Sequence, residues 1–155
     1  MDCPECGAPG EACKAQFQAL LAREFTDPGF GAVHHLTVTA YMLQHSSQLS
    51  REGWLYEREM LRRFLLEGQP PALVRRQARP VLDSGRRRFK IASNDGRPLF
   101  GQRAWAKTIM NVRMGSADVY HDDVAAWARA VLEEALKIEI PSSGGNRSGK
   151  GRPAG

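Results

Sequence analysis

Apolar residues recur at helical spacing along most of the chain, and each recurrence predicts an element. Between Glu11 and Phe25, Cys13, Phe17, Leu20 and Leu21 share one face, and Asp27-Pro28-Gly29 stops the run. From about Ala32 to His45, Val33, Leu36, Ala40 and Leu43 lie on one side while Val38, Tyr41 and Met42 occupy the other. Apolar residues all round predict a central, buried helix. From Glu52 to Glu67, Trp54, Leu61, Phe64 and Leu65 form a stripe opposite Glu59, Arg62 and Arg63, closed by Gly68 and Pro70-Pro71. The stretch Gln69 to Gly101, rich in Pro, Arg and Gly, has no long apolar period and is expected to be an irregular crossover loop. Phe89 and Ile91 before Asn94-Asp95-Gly96 allow a short hairpin within it. Trp105, Ile109 and Val112 predict a short helix. Tyr120, Val124, Trp127, Ala128, Val131, Ala135 and Ile138 predict a long amphipathic one after Ser116.

These elements describe an all-α fold, a compact helical bundle forming one domain over residues 1–140, with the first two long helices as an antiparallel hairpin against the Trp127 helix. No internal repeat is present. Residues 141–155 contain no apolar side chain large enough to pack, so ordering them would cost entropy with nothing to offset it, and a disordered basic tail is expected.

Composition narrows the class. A chain of 155 residues fits one domain, and 42% hydrophobic with 25% charged residues is ordinary for a globular protein. No apolar run reaches the roughly 18 residues of a membrane span, and the first residues lack the basic and apolar stretches of a signal peptide, so a cytoplasmic location is expected. The net charge of +5 is unevenly placed. Arg75 to Lys90 holds seven basic residues against Asp83 alone, and the tail adds Arg147, Lys150 and Arg152, so the remainder is net acidic. A basic segment of this kind can neutralise phosphates. Only Phe89 interleaves it as a stacking platform, so a solvated basic loop is favoured over nucleic-acid binding.

The three cysteines fall within the first 13 residues, an odd count that makes a poor disulfide framework and a good metal-ligand cluster. Cys3-Pro4-Glu5-Cys6-Gly7 has the spacing with which two thiolates share one tetrahedral ion across a tight turn, and Gly7 tolerates the left-handed conformation such a turn needs. A redox reading requires a strand before the motif, which position three cannot provide. A structural zinc ion needs four ligands. Cys13 supplies the third and a histidine the fourth. In an antiparallel hairpin turning at Asp27-Pro28-Gly29, Cys13 lies as far before Phe25 as His45 lies after Val33, so His45 is taken as the fourth ligand. His34 is the other candidate, but a straight helix separates it from His45 by about 16 Å. His34 instead falls by the turn beside Glu24, where a buried carboxylate–imidazole pair is expected. His35 and His121 are expected to face solvent.

The segments CPECGA, the lone Cys13, AREF, VHHLTVTAYMLQH, WAKTIMNV and VAAWARAV together resemble domain-of-unknown-function family 5946. The resemblance spans most of residues 3 to 135. It places the family's characteristic positions on Cys3, Cys6, Cys13, Glu24, His34, Tyr41, Gln44 and His45 and leaves His35 incidental. Thr39 stands where the family pattern has aspartate and Ser46 where it has proline. The family brings no assigned reaction. The expectation is a zinc-binding, non-catalytic module that recognises a protein or small ligand through a cleft near Glu24, His34, Tyr41 and Gln44. The alternatives are a metal-dependent hydrolase or transferase with an ion at Glu24, His34 and His45, and a nucleic-acid-binding zinc protein.

Overall fold

Asp27-Pro28-Gly29 acts as a corner. Helix α1 (Ala12–Thr26) ends there, and the Asp27 carboxylate accepts from Gly29 N at 3.0 Å to start the single turn α2 (Pro28–Gly31), with Pro28 in its first turn. Helix α3 (His34–Gln44) then returns along α1. Cys13 faces His45, the Phe17 ring stacks on Tyr41 at 3.8 Å, and Glu24 meets His34 at 2.7 Å. Positions rise along one helix as they fall along the other, so the pair is antiparallel.

The computed structural model describes residues 1–82, 91–93 and 95–140, and these fold as an all-α domain. Helix α3 is central, with Leu36, Thr37, Thr39, Ala40, Tyr41, Leu43 and Gln44 buried, as an all-round apolar pattern requires. Two long helices cover it. Helix α4 (Arg51–Leu66) is capped by Ser50, whose hydroxyl accepts from Gly53 N at 2.9 Å. It runs antiparallel to α3, with Trp54 Nε1 donating to Leu43 O at 3.0 Å and Phe64 edge-on to His35. The last long helix, α6 (Ala117–Ala135), is capped by Ser116 and runs parallel to α3. Tyr120 reaches Glu24 near the start of α3, and Trp127 Nε1 donates to Gln44 Oε1 at 2.9 Å near its end. Trp54, Tyr120 and Trp127 are fully buried at the centre of the bundle, where each such ring contributes about 2–3 kcal/mol by area removed from water.

Two expectations change. The supposed irregular crossover begins with a helix, α5 (Pro71–Leu82), whose Val74 is fully buried. Pro71 at its first position is a start signal, outweighed in the sequence by Pro80 and the density of arginines. The helix expected around Trp105 is only a 3-10 turn, Ile109–Asn111, held by a capping box between Thr108 and Asn111. Residues 91–93 cross the start of α4, with Ser50 N donating to Ile91 O at 2.8 Å. Gly53 permits that crossing, because a Cβ there would lie 2.4 Å from Ile91 O. The tail, Phe89 with its hairpin strand, and Arg86 to Lys90 lie outside the described residues. Among the described residues, no helix is long and apolar enough to cross a membrane.

Candidate metal centre

The N-terminal residues form a tight loop closed by their own backbone. Gly7 N donates to Cys3 O at 2.9 Å, Cys3 N to Ala8 O at 2.6 Å, and Gly10 N to Met1 O at 2.7 Å. Gly7 sits at φ +86°, a conformation side-chain-bearing residues rarely adopt. The loop brings Cys3 and Cys6 to the first turn of α1, where Cys13 is buried, and to the C-terminal end of α3, where His45 is 3% exposed. One ligand atom from each of Cys3, Cys6, Cys13 and His45 lies within 4.8 Å of the others. A tetrahedral zinc site with bonds of about 2.3 Å to sulfur has ligand edges near 3.8 Å, so a contraction of about 1 Å at the widest edge completes it.

His45 supplies the sharpest test of whether these residues suit a cation. Its Nδ1 lies 2.8 Å from Tyr41 O. A carbonyl oxygen can only accept, so Nδ1 carries the proton and the neutral ring keeps its lone pair on Nε2. Burial lowers the His45 pKa, which favours this neutral form. Nε2 is buried and has no hydrogen-bond partner among the described residues. A buried nitrogen left unpaired costs about 1–3 kcal/mol, and a metal ion removes that cost. A second ring nitrogen held by a backbone carbonyl is the usual support of a ligating histidine.

The sulfurs point the same way. Burial would raise the Cys3 thiol, yet backbone N–H groups of Cys6 and Glu5 bring it below the ordinary value. Cys6 and Cys13 are pushed up, first by burial and also by the charge of neighbouring sulfurs. Three thiolates so close repel one another in a partly desolvated site, and a dication offsets both the repulsion and the burial. Tyr41 roofs the cluster, stacked on His45 at 4.0 Å, and its phenol is pushed up by burial and then by the cysteines. Its hydroxyl is therefore no competing ligand. A shallow pocket of about 390 Å³ opens beside the cluster between Cys3, Lys14, Tyr41 and Gln48.

Glu5 holds the loop to the bundle. Its carboxylate accepts from Ser47 N at 2.9 Å and from the Ser47 hydroxyl at 2.7 Å, while Trp105 Nε1 donates to Glu5 O at 3.0 Å. These contacts link the loop to the turn after His45 and to the segment before α6. The sequence reading missed all three residues. The one available signal is that Glu5 lies inside the Cys-x-x-Cys turn, facing whatever the turn packs on.

The other predicted site residues do not share one cleft. Glu24 and His34 stand at the far end of α1, about 16 Å from Cys13 at helical rise. There Glu24 is 6% exposed and accepts from Thr37 Oγ1 at 2.5 Å and from the Tyr120 hydroxyl, while His34 Nδ1 lies 2.7 Å from its other oxygen. The carboxylate is buried, as a core pair requires, but the His34 side chain is 54% exposed. Tyr41 belongs to the cysteine end. Gln44 is fully buried, its amide donating to Lys107 O at 2.8 Å and accepting from Trp127. Glu24, His34 and His45 therefore do not converge. His35 is half-buried against Phe64 rather than solvent-facing, and His121 reaches Gly29 O at 2.5 Å. The two departures from the family pattern serve backbone: Thr39 Oγ1 donates to His35 O at 2.7 Å, and the buried Ser46 hydroxyl accepts from Leu99 N at 2.9 Å.

No curated protein and no solved structure matches the chain. Residues 1–135 match the family described as "Family of unknown function (DUF5946)". The match covers the cysteine loop, the hairpin and helix α6, and the chain belongs to that family.

Proposed function

We propose that the protein is a zinc-stabilised helical binding module in which Cys3, Cys6, Cys13 and His45 hold one structural zinc ion. The observation that carries this reading is the buried, unpartnered Nε2 of His45 on a ring that, among the described residues, is gathered with three thiols within 4.8 Å. Zinc is favoured over harder ions because the set is three soft sulfurs and one imidazole, with no carboxylate among them. Four such ligands complete a tetrahedron and leave no position for water, so the ion's contribution is to folding rather than to a reaction. The loop it anchors buries little apolar mass of its own, and metal binding supplies the free energy that keeps it in place. Reduced thiols suit a cytoplasmic setting.

Cobalt(II) reports directly on this ligand set. Protein loaded with cobalt should show an intense sulfur-to-metal charge-transfer absorption together with the strong visible bands of a tetrahedral ion. Weak, octahedral-type absorption without a charge-transfer band would remove the reading.

A further inference from the structure

We propose that the cavity at the Glu24 end binds a small apolar molecule carrying a hydroxyl or amine hydrogen-bond donor and no negative charge, received by Nε2 of His34. This names a ligand class for the binding module and rests on that reading, though not on the identity of the metal.

The site begins with a buried carboxylate. Thr37 and the Tyr120 hydroxyl both donate to Oε2 of Glu24, so this oxygen ties α1 to α3 and to α6. Oε1 is left for His34 Nδ1 at 2.7 Å. Because a carboxylate only accepts, Nδ1 carries a proton, and it is the neutral form of the ring that presents a lone pair at Nε2. No hydrogen bond to Nε2 is made among the described residues. The imidazole is 54% exposed while the carboxylate behind it is 2% exposed. A staple between helices is already complete in the two hydroxyls. It does not require a third partner whose other nitrogen is held open to the surface.

That imidazole lines a cavity of about 460 Å³, with Leu21, Glu24, Phe25 and Gly31 as its other walls. The volume falls in the range of small-molecule sites, which pair mostly apolar walls with a few fixed polar groups. Phe25 is 92% exposed, an aromatic ring left outside the core at the cavity's edge, where a ligand would cover it. Gly31 lets the corner close against α1, since a Cβ there would lie 2.7 Å from Glu24 O. Charge then selects the ligand. Glu24 is the one acidic group in the wall and neither Lys nor Arg lines it, so with the imidazole neutral an anion meets the Glu24 charge, whereas an O–H or N–H donor meets an oriented acceptor. Arg75 lines a neighbouring, smaller cavity with His35 and Glu57.

Three probes with one apolar body separate the possibilities: 2-phenylethanol, 2-phenylethylamine and phenylacetate. Each is titrated into the full chain, metal-loaded and carbon-13-labelled at histidine, while the imidazole resonances are followed by NMR. The alcohol and the amine should move the His34 signals saturably, and phenylacetate should bind at least tenfold more weakly. Phe25→Ser should weaken the productive probes at least fivefold with the thermal melt unchanged, and in His34→Ala, read by saturation transfer to the probes' own protons, binding should be lost without loss of fold. Equal or tighter binding of phenylacetate, no saturable His34 shift with any probe, or full affinity in Phe25→Ser overturns the proposal. Zinc content is measured on the same samples. A protein that retains no zinc after loading, yet whose His34 signals still shift saturably with the probes, would refute the zinc reading and uphold the pocket.

Discussion

Removing the Glu24 side chain is the most informative perturbation of the bundle away from the cysteines. Glu24→Ala deletes the acceptor of three groups, and the cost can be worked from their surroundings. Tyr120 is fully buried and its hydroxyl would be left with the Thr37 hydroxyl in place of a charged acceptor, at about 1–3 kcal/mol. Thr37 can fall back on Val33 O at 3.3 Å, and the half-exposed His34 can turn to water. With the lost packing, Glu24→Ala should cost about 3–5 kcal/mol. Tyr120→Phe alone keeps the ring beside Phe30, at 4.8 Å, and loses one hydrogen bond to a charged acceptor, about 1.5–3 kcal/mol. Adding Tyr120→Phe to Glu24→Ala should then cost nothing or stabilise, because it removes the hydroxyl that has lost its charged acceptor. Urea unfolding of the four metal-loaded proteins, followed by far-ultraviolet circular dichroism, should give a coupling energy of about 2 kcal/mol or more. His34→Ala should cost no more than about 1 kcal/mol, because its side chain is more than half exposed and the hydroxyls still hold Glu24. Additive single and double variants, with coupling below about 0.5 kcal/mol, would refute the network.

Three further outcomes follow from the same contacts. Glu5→Ala should weaken metal binding by about 10–100-fold in a chelator competition, since its carboxylate positions the loop against Ser47. Gly53→Ala, which in an ordinary helix would gain about 1 kcal/mol, should instead lower the thermal midpoint, because the new Cβ meets Ile91 O. Burial pushes the Glu57 carboxyl up to about 7 from an ordinary 4.5. The folded protein thus holds a proton that the unfolded chain has released, and stability should fall as pH rises through that window. Glu57→Gln should flatten the fall, by about 1–2 kcal/mol of the roughly 3 kcal/mol a full shift represents.

The sequence made the helices and the candidate metal cluster readable for different reasons. The hairpin and α6 show because buried positions repeat at helical spacing and Asp27 and Ser116 mark boundaries chemically. His45 is reachable because an antiparallel hairpin fixes which residues share a height, and Cys13 and His45 are equidistant from the corner. Helix α5 is hidden because Val74 is its only fully buried residue among those whose side chains are described, so the apolar repeat is weak. The Glu5–Ser47 clamp and the Tyr120–Glu24 contact join residues far apart in the chain, 42 and 96 positions respectively. Such pairs leave no local pattern, and only the packing of three helices brings them together. The residues expected around one cleft are spread apart for a related reason. His34 and Gln44 occupy opposite ends of one helix, and Tyr41 points to the cysteine side, so marks close in sequence report on two separate places.

The central claim is tested most directly by metal stoichiometry, measured by elemental analysis of the purified chain and of alanine variants at Cys3, Cys6, Cys13, His45 and His34. One zinc per chain is predicted in the parent and in His34→Ala, with zinc lost and the thermal midpoint lowered in each of the other four. A parent protein without zinc, or zinc kept in His45→Ala and lost in His34→Ala, would contradict the account.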